Sequence, residues 1–264
     1  MIVTPDPLWA GVLCAAVAAV GGLAVPRVIG LLPEPGSDDD AEPQAASVVA
    51  AEPVPGAPPP PAAPAPADPP DPDKVPYAEL ARAPRLGLWC ALVAAVAAGV
   101  MGASRGWQPD LPVWTFLAVA GVAMGYVDWR TRLLPVRLVV PSYVVVGLLL
   151  LCAFAVERDT DQLVGALLAW AGVFAVFFVL WFIYPRGLGY GDVRLSGLIG
   201  MALGWLGWSA VLVGTYAGFL LGAVIGGVLA LMRVVDRRGY PFGPFMLVGV
   251  VLGVLADGSH LPWL

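Results

Sequence analysis

Charge is scarce in this chain of 264 residues. Acidic and basic residues together make up 12% of it, about half the share usual in soluble globular domains. Histidine occurs once, at His260, in the stretch Ser259-His260-Leu261-Pro262. Cysteine occurs three times, at Cys14, Cys90 and Cys152, each inside an apolar run with no close partner. These shortages exclude whole classes of chemistry. Without paired Cys or His ligands there is no zinc framework and no disulfide scaffold, and the three thiols read as small buried apolar groups. No metal and no cofactor is expected, and a net charge of −5 gives no reason to expect a nucleic-acid partner.

What fills the chain instead is apolar: 59% of the residues are hydrophobic. Candidate spans fall at about 8–26, 86–103, 111–127, 136–156, 162–184, 193–207, 208–232 and 243–256. Most have the roughly 17–25 residues that a helix needs to cross a bilayer. The fold class expected is an all-α polytopic membrane protein with about eight transmembrane helices. The run from Leu8 lacks a basic segment before it and a small-residue cleavage site after it, so it reads as a retained helix rather than a signal peptide. With the N-terminus outside, 12 of the 14 basic residues fall in inner loops, leaving Arg105 and Arg158 outside. That satisfies the positive-inside rule. It places both termini outside and puts Asp128 and Asp192 at the cytoplasmic edge of a plasma membrane.

Residues 33–85 differ from the rest. Their Ala/Pro repeats, with Pro58-Pro59-Pro60-Pro61, have no helical or strand period. Ten acidic residues against four basic ones lie between Arg27 and Arg85, so the acidity of the chain belongs to this stretch. A segment with so little to bury is expected to be a disordered linker, partly extended by proline. The division expected is 1–32 for the first helix and its exit, 33–85 for the cytoplasmic linker, and 86–264 for a seven-helix membrane core.

Two aspartates stand where charge is expensive. Asp128 closes the apolar run Ala118–Val127 and is followed by Trp129-Arg130-Thr131-Arg132-Leu133-Leu134-Pro135. Asp192 lies in Gly189-Tyr190-Gly191-Asp192-Val193-Arg194-Leu195, just before the next apolar run. An ionisable group at membrane depth is a functional-site candidate, although structural ion pairs occupy such places too. Pro135 suits the first turn of the following helix. Gly189 and Gly191 permit close backbone approach, so an extended substrate could lie there. Asp192 would sit near a helix N-terminus, where the dipole favours the ionised form. Pro241-Phe242-Gly243-Pro244-Phe245 is either a turn leading into the last helix or part of a site wall. Two carboxylates brought together would hold one proton between them. The ionised one could then activate water while the protonated one polarises a carbonyl.

An Asp followed by a basic turn and Leu-Pro, then Gly-Tyr-Gly-Asp-Val-Arg-Leu, then Pro-Phe-Gly-Pro-Phe resembles the prepilin (type IV leader) peptidase family. These are intramembrane aspartic endopeptidases of the Gly-x-Gly-Asp type. The resemblance runs from about residue 86 to the end, and Leu8 to Pro33 looks like the family's first helix. It implies Asp128 and Asp192 as the catalytic pair, with Gly189, Gly191, Arg194, Pro135 and Gly243 around the substrate. It further implies prepilin or pseudopilin substrates with a short basic leader, in a pilus or secretion system. The sequence departs from the family pattern at Val136, where Asn or Asp is common, and at Arg194, where Lys is usual. Larger members carry Cys-x-x-Cys zinc motifs between the first two helices, in a domain tied to N-methylation. Here that interval has no cysteine, which implies a short form that cleaves without methylating.

Three other readings compete. A presenilin or signal-peptide-peptidase relative shares Gly-x-Gly-Asp, but its Pro-Ala-Leu motif is missing from the last span. A transporter or channel using the aspartates for ions would need polar residues in mid-membrane, and the spans offer almost none. A lipid-phosphate transferase would show several metal-binding aspartates on facing helices, whereas Asp38-Asp39-Asp40 is one run in the linker.

Overall fold

The computed structural model describes residues 6–32, 76–184, 187–231 and 241–257, and among these every regular element is a helix. In order the helices are α1 (Pro7–Gly30), α2 (Tyr77–Leu80), α3 (Leu86–Arg105), α4 (Leu111–Thr131), α5 (Val136–Glu157), α6 (Thr160–Ile183), α7 (Tyr190–Leu206), α8 (Trp208–Leu231) and α9 (Gly243–Asp257). The protein is an all-α polytopic membrane protein. Helices α1, α3, α4, α5, α6 and α8 are long and apolar enough to cross a bilayer. The spans expected over 193–207 and 243–256 are helices of 17 and 15 residues, the first at and the second below the lower end of the roughly 17–25 residues that a crossing takes.

Local signals set the helix ends. Asp6 caps α1, its carboxylate accepting from the Leu8 N–H at 2.8 Å, and Pro7 follows at the first helical position. Asp159 caps α6 by accepting from the Asp161 N–H at 2.9 Å. Helices α4 and α5 both stop at an arginine in the left-handed region, Arg132 and Arg158, each with φ 56°. The N–H of each donates to a carbonyl four residues back, those of Asp128 and Phe154, at 2.7 Å.

Because lipid is as apolar as leucine, helices in a bilayer associate where small residues let their backbones approach. Three antiparallel pairs use this device here. Gly11 and Gly22 of α1 lie against Gly99 and Ala91 of α3, Gly165 and Ala169 of α6 against Gly204 and Gly200 of α7, and Gly214 and Gly218 of α8 against Gly249 and Met246 of α9. A β-carbon at Gly204 would come within 2.6 Å of the Gly165 carbonyl oxygen. Helix α4 stands among the pairs, touching α1, α3, α5 and α9. Its Trp114, Val113 and Val127 are fully enclosed.

The pairing puts the ends of α1, α4, α6 and α8 on the same side as the starts of α3, α5, α7 and α9. The described arginines at that end are Arg27, Arg82, Arg85, Arg130, Arg132, Arg137 and Arg194, against Arg105 and Arg158 at the other. At that other end Arg105, Asp110 and Asp257 form an ion cluster joining α3, α4 and α9. Arg105 Nη2 lies 3.1 Å from Asp110 Oδ2 and Nη1 binds Asp257, while Trp114 Nε1 donates to Asp110 at 2.9 Å.

Two expectations need correction. Residues 76–85 were expected within the disordered linker, but they hold helix α2, with Tyr77 and Leu80 buried in a cluster with Val25, Ile29 and Val127. Tyr126 Oη donates to the Leu80 carbonyl at 3.4 Å. Two aromatic or aliphatic anchors in ten residues were enough to order this end of the segment. Residues 33–75, His260 and Arg186, Arg233, Arg237 and Arg238 lie outside the described residues. Cys14 and Cys90 are buried as expected, but Cys152 is exposed on the surface of α5.

Candidate active site

Asp128 occupies the last turn of α4 and Asp192 the first turn of α7, at the same end of the bundle. Both are buried, at 4% and 8% exposure. They line one small cavity of about 40 Å³, with Arg132, Leu133, Leu134, Gly189, Gly191 and Arg194. That is room for a water between them.

Each carboxylate is held by backbone from a third place in the sequence. Asp128 Oδ2 accepts from the Gly243 N–H at 2.9 Å, across 115 residues. This N–H is one of those left unpaired at the start of α9, so the positive end of that helix faces the carboxylate. Asp192 Oδ2 accepts from the Gly189 N–H at 3.3 Å, reaching back over the turn that begins α7.

The glycines owe their places to close approach. A β-carbon at Gly191 would sit 2.8 Å from Leu134 Cβ. One at Gly243 would sit 2.8 Å from Asp128 Oδ2 and 3.3 Å from its Cγ. The loop carrying Leu134 is thereby pressed between the two aspartate-bearing turns.

The structure brings together six of the seven residues singled out in the sequence. Asp128, Asp192, Gly189, Gly191 and Arg194 line the cavity, and Gly243 abuts it from behind Asp128. Pro135 does not line it; it is the residue before α5, its carbonyl accepting from the Leu138 N–H at 2.9 Å. Val136 opens α5, and Leu134 lines that side of the cavity.

Four further residues, not among those singled out as site residues in the sequence, contribute to the site. Tyr190 lies under Arg194, the guanidinium carbon 4.6 Å from the ring centre, and Trp181 packs on Tyr190 at 5.0 Å. Tyr143 Oη donates to the Arg194 carbonyl at 2.6 Å from α5. Arg132 reaches the cavity because its left-handed turn ends α4 four residues after Asp128. The adjacent hydroxyls of Ser142 and Tyr143 in the apolar run of α5 were the cue that could have flagged Tyr143. Among the described residues, no three His, Cys, Asp or Glu side chains come together as metal ligands.

Fold and site define an α-helical membrane protein with two enclosed aspartates, from different helices, around one cleft at one end of the bundle. Comparison with known proteins places it more closely. Residues 114–231 match the Type IV leader peptidase family, and both aspartates lie inside the matched region. Over 180 residues it is 30% identical to a prepilin leader peptidase/N-methyltransferase of Pectobacterium carotovorum, covering 64% of this chain and 59% of that protein. A protein of the same description from Aeromonas salmonicida is 29% identical over 195 residues, 69% of this chain and 61% of the relative. One from Escherichia coli K12 is 27% identical over 180 residues, 66% and 74% respectively. The chain thus spans about three fifths of the length of the first two relatives. No solved structure matches it.

Proposed function

We propose that this protein is a membrane aspartic endopeptidase that removes the basic leader from type IV prepilins or pseudopilins at the cytoplasmic face. The observation that carries the reading is the pair of buried carboxylates, Asp128 and Asp192, lining one water-sized cavity at the arginine-rich end. The family match supplies the substrate class.

The chemistry follows from one proton shared by the pair. The ionised aspartate takes a proton from water as the water oxygen attacks the scissile carbonyl carbon. The protonated aspartate gives its proton to the carbonyl oxygen. The tetrahedral intermediate then collapses, the C–N bond breaks, and the nitrogen leaves with a proton from the pair. Products are a free carboxylate on the leader and an amine on the mature chain. The Gly243 and Gly189 N–H groups hold the two carboxylates in register, and Arg194, fixed on Tyr190, lines the cleft where the leader junction would lie.

We further read the protein as a short form that cleaves without methylating the new N-terminus, since residues 33–75 contain no cysteine to bind zinc. The test is co-expression with prepilin-type proteins from the same genome, scored by the mobility shift of leader loss. If every such protein stays full-length in the presence of the accumulated enzyme, the reading is wrong.

A further inference from the structure

A long apolar groove of about 550 Å³ opens on the bundle surface between α3, α4 and α9, with α7 as its floor. Its course relative to the cleft is set by helix periodicity. On α4 its residues Leu117, Gly121 and Met124 fall on the stripe that continues, four residues on, to Asp128. On α7 its residues Leu195 and Ile199 follow Asp192 by three and seven positions. On α9 its residues Leu247 and Val251 follow Gly243, the donor to Asp128, by four and eight. Three of the four helices around the groove therefore run from it to a member of the site.

The groove is long enough for one face of a helix to lie along it. On α3 the lining runs from Leu86 to Met101, fifteen steps of 1.5 Å or ~22 Å, about three quarters of a ~30 Å hydrocarbon core. Small residues Ala97, Ala118 and Gly125 keep it deep. At the end beside the cleft its mouth carries Trp89 and Trp129, exposed by 62% and 53%, side chains suited to the membrane–water boundary.

We propose that this groove is the docking surface for the apolar helix of the substrate, entering sideways from the bilayer and reaching the cleft at its cytoplasmic end. The occupant is a single membrane-embedded α-helix preceded by a polar extended segment. A helix lying along the groove points its N-terminal end, and the peptide bond preceding it, at Asp128 and Asp192. This rests on the peptidase reading for the nature of the substrate, while the groove's fit to an apolar helix stands on its length, its apolar lining and its alignment with the cleft along α4, α7 and α9.

The test places a photoreactive benzoylphenylalanine at Val93 or Val248, which line the groove and are half exposed, and at Val144 or Leu212 on other outward faces. The protein is reconstituted in phosphatidylethanolamine–phosphatidylglycerol vesicles with a synthetic probe. The probe has a basic leader, a glycine and an apolar helix of about 20 residues. Several-fold more capture of the probe's helix from Val93 and Val248 than from Val144 and Leu212 is expected. Equal capture at all four positions, capture of lipid only, or capture of a second copy of the chain would overturn the proposal. Wild-type cleavage of the same probe is read separately. An uncleaved probe counts against the peptidase reading, while the capture map still decides the groove.

Discussion

Replacing Gly243 by alanine perturbs one hydrogen bond and little else. The added β-carbon would stand 2.8 Å from Asp128 Oδ2, where ordinary contact begins near 3.4 Å. Asp128 or the start of α9 must therefore yield by about 0.6 Å, which stretches the 2.9 Å bond from the Gly243 N–H. A hydrogen bond to a charged group contributes about 1.5–3 kcal/mol, and an ångström of misplacement can cost about a hundredfold in rate. A fall in kcat of about 10–100-fold follows, corresponding to ~1.4–2.8 kcal/mol in the barrier. The fold should tolerate the change, since alanine favours a helix over glycine by up to ~1 kcal/mol. Gly147→Ala is the control, because a β-carbon there meets nothing within 4 Å. The assay is cleavage of a prepilin-type substrate by purified enzyme, with kcat and KM separated and thermal unfolding measured alongside. A kcat within about twofold of wild type, at unchanged stability, would show that the Gly243 N–H does not position Asp128.

Asp128→Asn and Asp192→Asn are each expected to abolish leader cleavage while the protein accumulates in the membrane, because a proton-sharing pair acts as a unit; cleavage by either variant removes that residue from the pair. Deleting much of residues 36–75, while leaving enough chain to join α1 to α2, is expected to leave cleavage largely intact, read by the same gel shift, since the composition gives reach rather than a site. Incubating purified protein with a prepilin and S-adenosylmethionine is expected to yield a product of unmethylated mass, and one extra methyl group by mass spectrometry would refute this. Arg105→Ala strands the fully enclosed Asp110 beside Asp257. It is expected to lower stability by about 3–5 kcal/mol in thermal unfolding, as for other broken buried pairs.

Much of this was legible in the chain because the signals were local. Apolar runs bounded by arginines fixed six of the spans, and the aspartates announced themselves by standing at the ends of such runs. Gly189 and Gly191 were readable as places of close approach, although what approaches them, Leu134, was not. The parts that escaped depend on distance in sequence. Gly243 was read as lying in a turn or a wall, and its bond to Asp128 spans 115 residues. Pro135 was read as lining the substrate, but its fixed φ serves the start of α5, and the neighbouring Leu134 takes the wall. Tyr77 and Leu80 were lost among the prolines before them, because composition averaged over a long window hides a short anchored turn.

The ion cluster of Arg105, Asp110 and Asp257 has a mechanical consequence. It ties α3, α4 and α9, the same three helices that wall the apolar groove, at the end remote from the aspartates. Walls pinned at one end can part only as tongs do, about that end. Compliance along the groove is therefore graded, stiffest at the cluster and greatest beside Asp128. A body sliding in would be gripped first where the walls cannot give, and would settle last where bond breaking needs room to turn.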